Sequence, residues 1–208
     1  MKKYAFILSL IILLQSMPAY AGITGGVYWK HEQPVSPAYS DWAEKYINKA
    51  ENWGFLTRGM QGGYTEYISR QLFCEIAYNM LIKWGVNDNV SGASVFSDTD
   101  SQAVNALYAL GIVNGRNTSE FAPNDSITRE EAATMLTRLT LLMNISARAY
   151  NHKFDDEDQI SGWAKDAVYK ICSCGIMNGT AEYVFSPKGK YTKEQAVATI
   201  VRLYEAAS

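Results

Sequence analysis

Gly111-Ile112-Val113-Asn114-Gly115 leads into Phe121-Ala122-Pro123 and then Ile127-Thr128-Arg129-Glu130. The same order returns as Gly175-Ile176-Met177-Asn178-Gly179, Phe185-Ser186-Pro187 and Tyr191-Thr192-Lys193-Glu194. A more divergent copy precedes both: Gly54-Phe55-Leu56-Thr57-Arg58-Gly59, with Tyr64 nearest to the Phe-x-Pro phenylalanine, and Ile68-Ser69-Arg70-Gln71. Each copy opens on an aromatic-x-Asp triplet, Tyr39-Ser40-Asp41, Phe96-Ser97-Asp98 or Phe154-Asp155-Asp156. Self-similarity with a period of about 60 residues marks a repeat architecture. It divides the chain into copies at 39–86, 96–145 and 154–207, joined by polar or irregular stretches at 87–95 and 146–153.

The pattern within each copy predicts two amphipathic helices. In the second copy Val104, Leu107 and Leu110 form one apolar stripe, and Ala132, Leu136, Leu139 and Met143 form another at helical spacing. Glycine just past the first stripe is the usual left-handed helix stop. Thr128 with Glu131, and Thr192 with Gln195, have capping-box spacing, whereas Ser69 is followed by Leu72 and has half a box. One helix pair cannot bury both of its stripes, so three pairs are expected to pack as one all-α bundle.

Upstream, Lys2 and Lys3, the apolar run 4–14 and the small residues of Ala19-Tyr20-Ala21 predict a secretory signal peptide at 1–21, with the extension 22–38 before the first copy. The run is shorter than the roughly 20 apolar residues that span a bilayer, so export without membrane insertion is expected. The 208 residues carry 19 basic and 21 acidic side chains, a net charge of −2, which excludes a net-charge grip on nucleic acid. Two histidines and three cysteines offer little for a transition-metal site. Cys74, Cys172 and Cys174 form an odd set, readable as buried thiols or as a disulfide involving Cys74. The acidic run at 155–158 lacks the spaced ligands of a calcium loop and reads as a solvated helix opening. No catalytic or cofactor motif appears, and no enzyme activity is expected.

Taken together in this order, Phe-x-Asp, Gly-Ile-x-Asn-Gly, Phe-x-Pro and Ile-Thr-Arg-Glu resemble the S-layer homology domain family, over nearly the whole expected mature chain, from about Tyr39 to Ala206. The resemblance implies three tandem domains forming a pseudo-threefold helical bundle. It also implies that grooves between units bind a secondary cell-wall polysaccharide carrying pyruvate ketals, holding an exported protein on the bacterial cell surface. A surface subunit that uses its repeats for protein or self-association is the alternative.

Under that resemblance Arg70, Arg129 and Lys193 are the candidate anion contacts. Each follows the Ser or Thr cap, where a cation opposes the helix dipole unless an anion offsets it. The free first-turn N–H groups are expected to converge on that anion. The alternative is a side chain reaching back to Glu131 or Glu194, or lying in solvent. Trp42 and Trp163, each twelve residues before its stop glycine, suit stacking on a sugar face or packing of the first helix. The second copy has Thr99 there. Asn114-Gly115 and Asn178-Gly179 suit ligand approach or a tight turn. Asp41, Asp98, Asp156 and Gly59 complete the candidate set. Lysine at 193 loses the bidentate fork of arginine, so a weaker third site is expected.

Overall fold

The computed structural model describes residues 39–87 and 94–208. The expected leader at 1–21, the extension at 22–38 and most of the joint at 87–95 lie outside the described residues. Six α-helices follow one another: α1 (Glu44–Trp53), α2 (Arg70–Trp84), α3 (Gln102–Ala109), α4 (Arg129–Leu142), α5 (Lys165–Ser173) and α6 (Lys193–Ala207). Short 3-10 turns occupy Asp41–Ala43, Arg58–Met60 and Glu157–Gln159. Among the described residues there is no strand, only isolated bridges.

The caps act where their spacing places them. Ser69 Oγ accepts from Leu72 N–H at 3.2 Å, without a return bond because leucine has no acceptor. Thr128 Oγ1 accepts from Glu131 N–H while Glu131 accepts from Thr128 N–H, and Thr192 and Gln195 repeat the exchange. After α1, α3 and α5 the chain turns through Gly54, Gly111 and Gly175 at φ of 77°, 70° and 71°, a region that a side chain with a Cβ resists.

Packing differs from a simple stack of consecutive pairs. Helix α1 lies against α6, α3 against α2 and α5 against α4, while α2 and α4 both contact α6. The first helix of each copy therefore rests on the second helix of another copy, because the long loop after it (54–69 in the first copy) carries the chain away before α2 begins. The apolar stripes meet in one continuous core. Phe73, Met80, Leu81, Leu107, Leu136, Leu139, Val168, Ile171, Val201 and Leu203 are wholly buried, and Leu110 packs at its edge.

Three backbone bonds join the segments before α2, α4 and α6. Ile68 N–H donates to Tyr191 O, Tyr191 N–H to Ile127 O and Ile127 N–H to Ile68 O, at 2.9, 3.0 and 3.3 Å. The three side chains at these positions are fully buried.

Cys74, Cys172 and Cys174 are free. Burial pushes the thiols of Cys74 and Cys172 up to about 12, which removes the thiolate at neutral pH. A thiol-specific disulfide reagent is therefore expected to label only half-buried Cys174 quickly in the native protein, and all three after denaturation. Fast native labelling of Cys74 would contradict this packing.

Candidate functional site

The first turns of α2, α4 and α6 show what their basic residues do. Arg70 sits at the start of α2, yet its guanidinium extends to the second copy, where Nε donates to Phe121 O and Nη2 to Asn114 O, both at 2.9 Å. Arg129 repeats this one copy later, with Nε to Phe185 O at 2.8 Å and Nη2 to Asn178 O at 2.7 Å. Each guanidinium also lies over the phenyl ring whose carbonyl it binds, at 4.5 Å for Phe121 and 4.9 Å for Phe185. Arg70 is 4 % exposed and Arg129 5 %, and desolvation pushes both below the ordinary arginine value. These arginines neither turn back to their own helix nor lie in solvent.

The expected anion nest of first-turn amides is not formed. Arg70 and Gln71 donate their N–H groups to Asp125 O and Pro123 O, Arg129 and Glu130 to Gly189 O and Pro187 O, and Lys193 and Glu194 to Glu66 O and Tyr64 O. The third amide in each helix is taken by the Ser or Thr cap. A donor that already serves a carbonyl is not available to a ligand. An anion at these helices would meet side chains only.

The second residue of each of these helices has an equally regular task. Glu194 accepts from Ser40 N–H and Oγ at 2.9 and 3.0 Å, and Glu130 accepts from Ser161 N–H and Oγ, both at 2.9 Å. Gln71 accepts from Thr99 Oγ1 at 2.9 Å. Each contact ties the start of a first helix to the second helix on which it rests.

Asp98 and Asp156 build the Phe-x-Pro loops. The two carboxylate oxygens of Asp98 accept from Phe121 and Ala122 N–H at 2.9 and 2.8 Å, and those of Asp156 from Phe185 and Ser186 N–H at 2.9 and 2.7 Å. Ala122 and Ser186 have φ of 60° and 59°, so each acid clamps a left-handed residue that alone would resist the turn. The Phe121 amide is the main cause of the lowered Asp98 pKa. With both oxygens on their own backbone, Asp98 and Asp156 are loop clasps. Asp41 is exposed in its 3-10 turn and lines neither of the grooves described next.

Two grooves gather most of the other candidates. One, of about 310 Å³, places Trp42, Arg129, Asn178 and Gly179 beside Tyr191, Gln195 and Arg202. The other, of about 190 Å³, places Trp163, Arg70, Asn114 and Gly115 beside Arg116, Glu131 and Arg138. Each groove thus draws its tryptophan, its buried arginine and its Asn-Gly turn from three different copies. Trp42 and Trp163 are 46 % and 61 % exposed, so each presents ring surface to its groove, while Trp42 also meets the Tyr46 ring edge-on at 6.4 Å. Gly115 and Gly179 are required by their turns, since a Cβ would fall 2.4 Å from Asn117 O and 2.5 Å from Val184 O respectively.

Lys193 and Gly59 are not brought into either groove. Lys193 Nζ donates to Glu66 Oε2 at 3.0 Å, and a cavity beside Gly59 is lined by Thr57, Arg58 and Gln61 without Lys193. Conversely, the motif reading missed Arg138 and Arg202. Their Nη1 atoms donate to Ile112 O and Ile176 O at 3.0 and 3.3 Å. Both stand ten residues after their Thr cap, a repeat-level signal, but a lone arginine in a helix otherwise reads as solvent-facing. The acidic run and His152 line neither groove: Glu157 binds Lys165 and Tyr169, and His152 meets the Tyr150 ring edge-on.

Comparison with known proteins adds the family. The S-layer homology domain matches residues 97–133 and 153–197. An exoglucanase, XynX, of Acetivibrio thermocellus is 38 % identical over 114 residues, which cover 52 % of this chain and 10 % of that protein. The S-layer protein sap of Bacillus anthracis is 28 % identical over 103 residues, covering 50 % of this chain and 12 % of that protein. A surface-layer 125 kDa protein of Lysinibacillus sphaericus is 28 % identical over 104 residues, covering 50 % and 8 %. The chain thus spans about a tenth of the length of the relatives it matches. These matches identify residues 97–133 and 153–197 as S-layer homology segments, in agreement with the ordered motifs that build the loops and grooves.

Proposed function

We propose that the described region is a cell-surface anchoring module whose two grooves hold an acidic, pyruvylated secondary cell-wall polysaccharide, and that it acts as a binder rather than an enzyme. The observation that carries this reading is the coincidence, twice over, of an open indole face, a buried guanidinium and exposed turn amides in one groove. An indole covers the apolar face of a pyranose ring, and a desolvated cation strengthens attraction to a carboxylate. Surface-layer proteins among the relatives support a location at the cell surface.

We further infer that the three helix pairs, at 39–86, 96–145 and 154–207, are three domains arranged about a pseudo-threefold axis. The closed ring through Ile68, Ile127 and Tyr191, and the matched contacts at Gln71, Glu130 and Glu194, support that symmetry. The third junction, at Lys193, is equivalent in position but carries no tryptophan and an internal carboxylate partner, so it contributes little to binding.

Co-sedimentation of the protein with purified wall sacculi tests the reading. Binding is expected to fall sharply after mild acid removes pyruvate ketals, and to vanish once the polysaccharide is stripped. Binding unchanged by both treatments would overturn the polysaccharide reading in favour of a protein partner.

A further inference from the structure

The two grooves are built alike but differ in charged lining at two linked positions, Glu131 and its partner Arg116 in one standing where the other has Gln195 and Thr180. Arg129, 5 % exposed, has no carboxylate within 4.0 Å among the described residues, and its groove contains no Asp or Glu at all. Arg70, just as buried, has Glu131 Oε1 at 4.0 Å from its Nη1. That same oxygen is bonded to Arg116 at the rim. The residue equivalent to Glu131 in the Arg129 groove is Gln195, third in α6 as Glu131 is third in α4. Summed over their lining side chains the two grooves have similar net charge, so the difference is one of placement. One buried guanidinium has a carboxylate 4.0 Å away in its own groove, and the other has no carboxylate lining its groove.

We propose that Glu131 and Gln195 set the charge of the sugar each groove accepts. The Arg129 groove takes the carboxylate-bearing residue of the glycan, and the Arg70 groove takes a neutral, hydroxyl-rich residue whose hydroxyl donates to Glu131. A ligand carboxylate entering beside Arg70 meets the Glu131 carboxylate in a partly desolvated space, where like charges repel strongly. A hydroxyl there finds an acceptor instead. The proposal rests on the glycan-binding reading above and assigns the parts of the ligand within it.

The two side chains can be exchanged with the capping boxes kept, although Glu131→Gln also gives up the ion pair with Arg116. Glu131 Oε2 accepts from Thr128 N–H at 2.8 Å and Gln195 Oε1 from Thr192 N–H at 3.3 Å, so either residue closes its capping box. The probes are a methyl hexoside bearing a pyruvate ketal and the methyl ester of the same compound. The indole N–H resonances of Trp42 and Trp163 report the two grooves separately, and thermal melting of each variant checks its fold. In the unaltered protein the acid is expected to move the Trp42 signal at a concentration about tenfold below that for Trp163, with no such preference for the ester. Glu131→Gln is expected to tighten acid binding at Trp163 about tenfold, and Gln195→Glu to weaken it at Trp42 by about the same factor. Equal acid midpoints at both indoles, or midpoints unmoved by both exchanges, would overturn the assignment while leaving glycan binding intact. Silence of both indoles toward both probes would overturn the glycan reading and this proposal with it.

Discussion

Arg129→Ala is expected to lower stability by about 3 kcal/mol, because it strips two hydrogen bonds and leaves buried carbonyls without donors. The oxygens concerned belong to Phe185 and Asn178, in the loop that carries the third copy's Phe-x-Pro and Asn-Gly turns. The loss corresponds to a fall in Tm of roughly 6 to 12 °C for a domain of this size. Arg129→Lys is expected to recover only part of it, since an ammonium cannot fork to two carbonyls as the guanidinium does. An Arg129→Ala variant that melts like the parent would show that the guanidinium serves the ligand alone. Because Arg129 bonds the loop and, under the proposed function, also meets the ligand, its substitution cannot by itself separate binding from folding.

Glu194→Ala is expected to cost a similar amount, about 3 kcal/mol, by removing two bonds to a carboxylate that is 6 % exposed. Ser40 N–H and Oγ lose their acceptor, and with it the tie that holds the turn before α1 to α6 across 154 residues of sequence. Hydrogen exchange should then rise first in α1, the helix that rests on α6. Glu194→Gln should cost less than half as much, since Gln71 already performs the equivalent contact in α2 by accepting from Thr99. Uniform exchange across all six helices in Glu194→Ala would contradict the view that this contact closes the first helix onto the last.

Local chemistry explains how much could be read in advance. The starts of α2, α4 and α6 follow from Ser69, Thr128 and Thr192, and the ends of the first helices from Gly54, Gly111 and Gly175, since caps and left-handed stops depend on a few adjacent residues. Arg70 and Arg129 were recognisable as out of place at a positive helix end. Their partners were not, because Asn114 and Phe121 lie 44 and 51 residues beyond Arg70 and belong to a different copy. The same distance hides the use of the first-turn amides, which look free in sequence and are bonded to carbonyls of another loop. Asp98 and Asp156 looked like ligand groups because an acid in a recurring motif reads that way. Only the left-handed turns at Ala122 and Ser186 reveal what they hold.

The central claim is that the exposed tryptophans of the two grooves grip the wall polymer. Its most direct test is the binding of Trp42→Ala/Trp163→Ala to purified sacculi, measured beside the parent protein, with helicity and Tm recorded for both. Both rings are about half exposed, so the double variant is expected to melt within about 4 °C of the parent while its apparent affinity falls at least about thirtyfold. Full retention of sacculus binding by a folded double variant would contradict the account and move the binding surface away from these grooves.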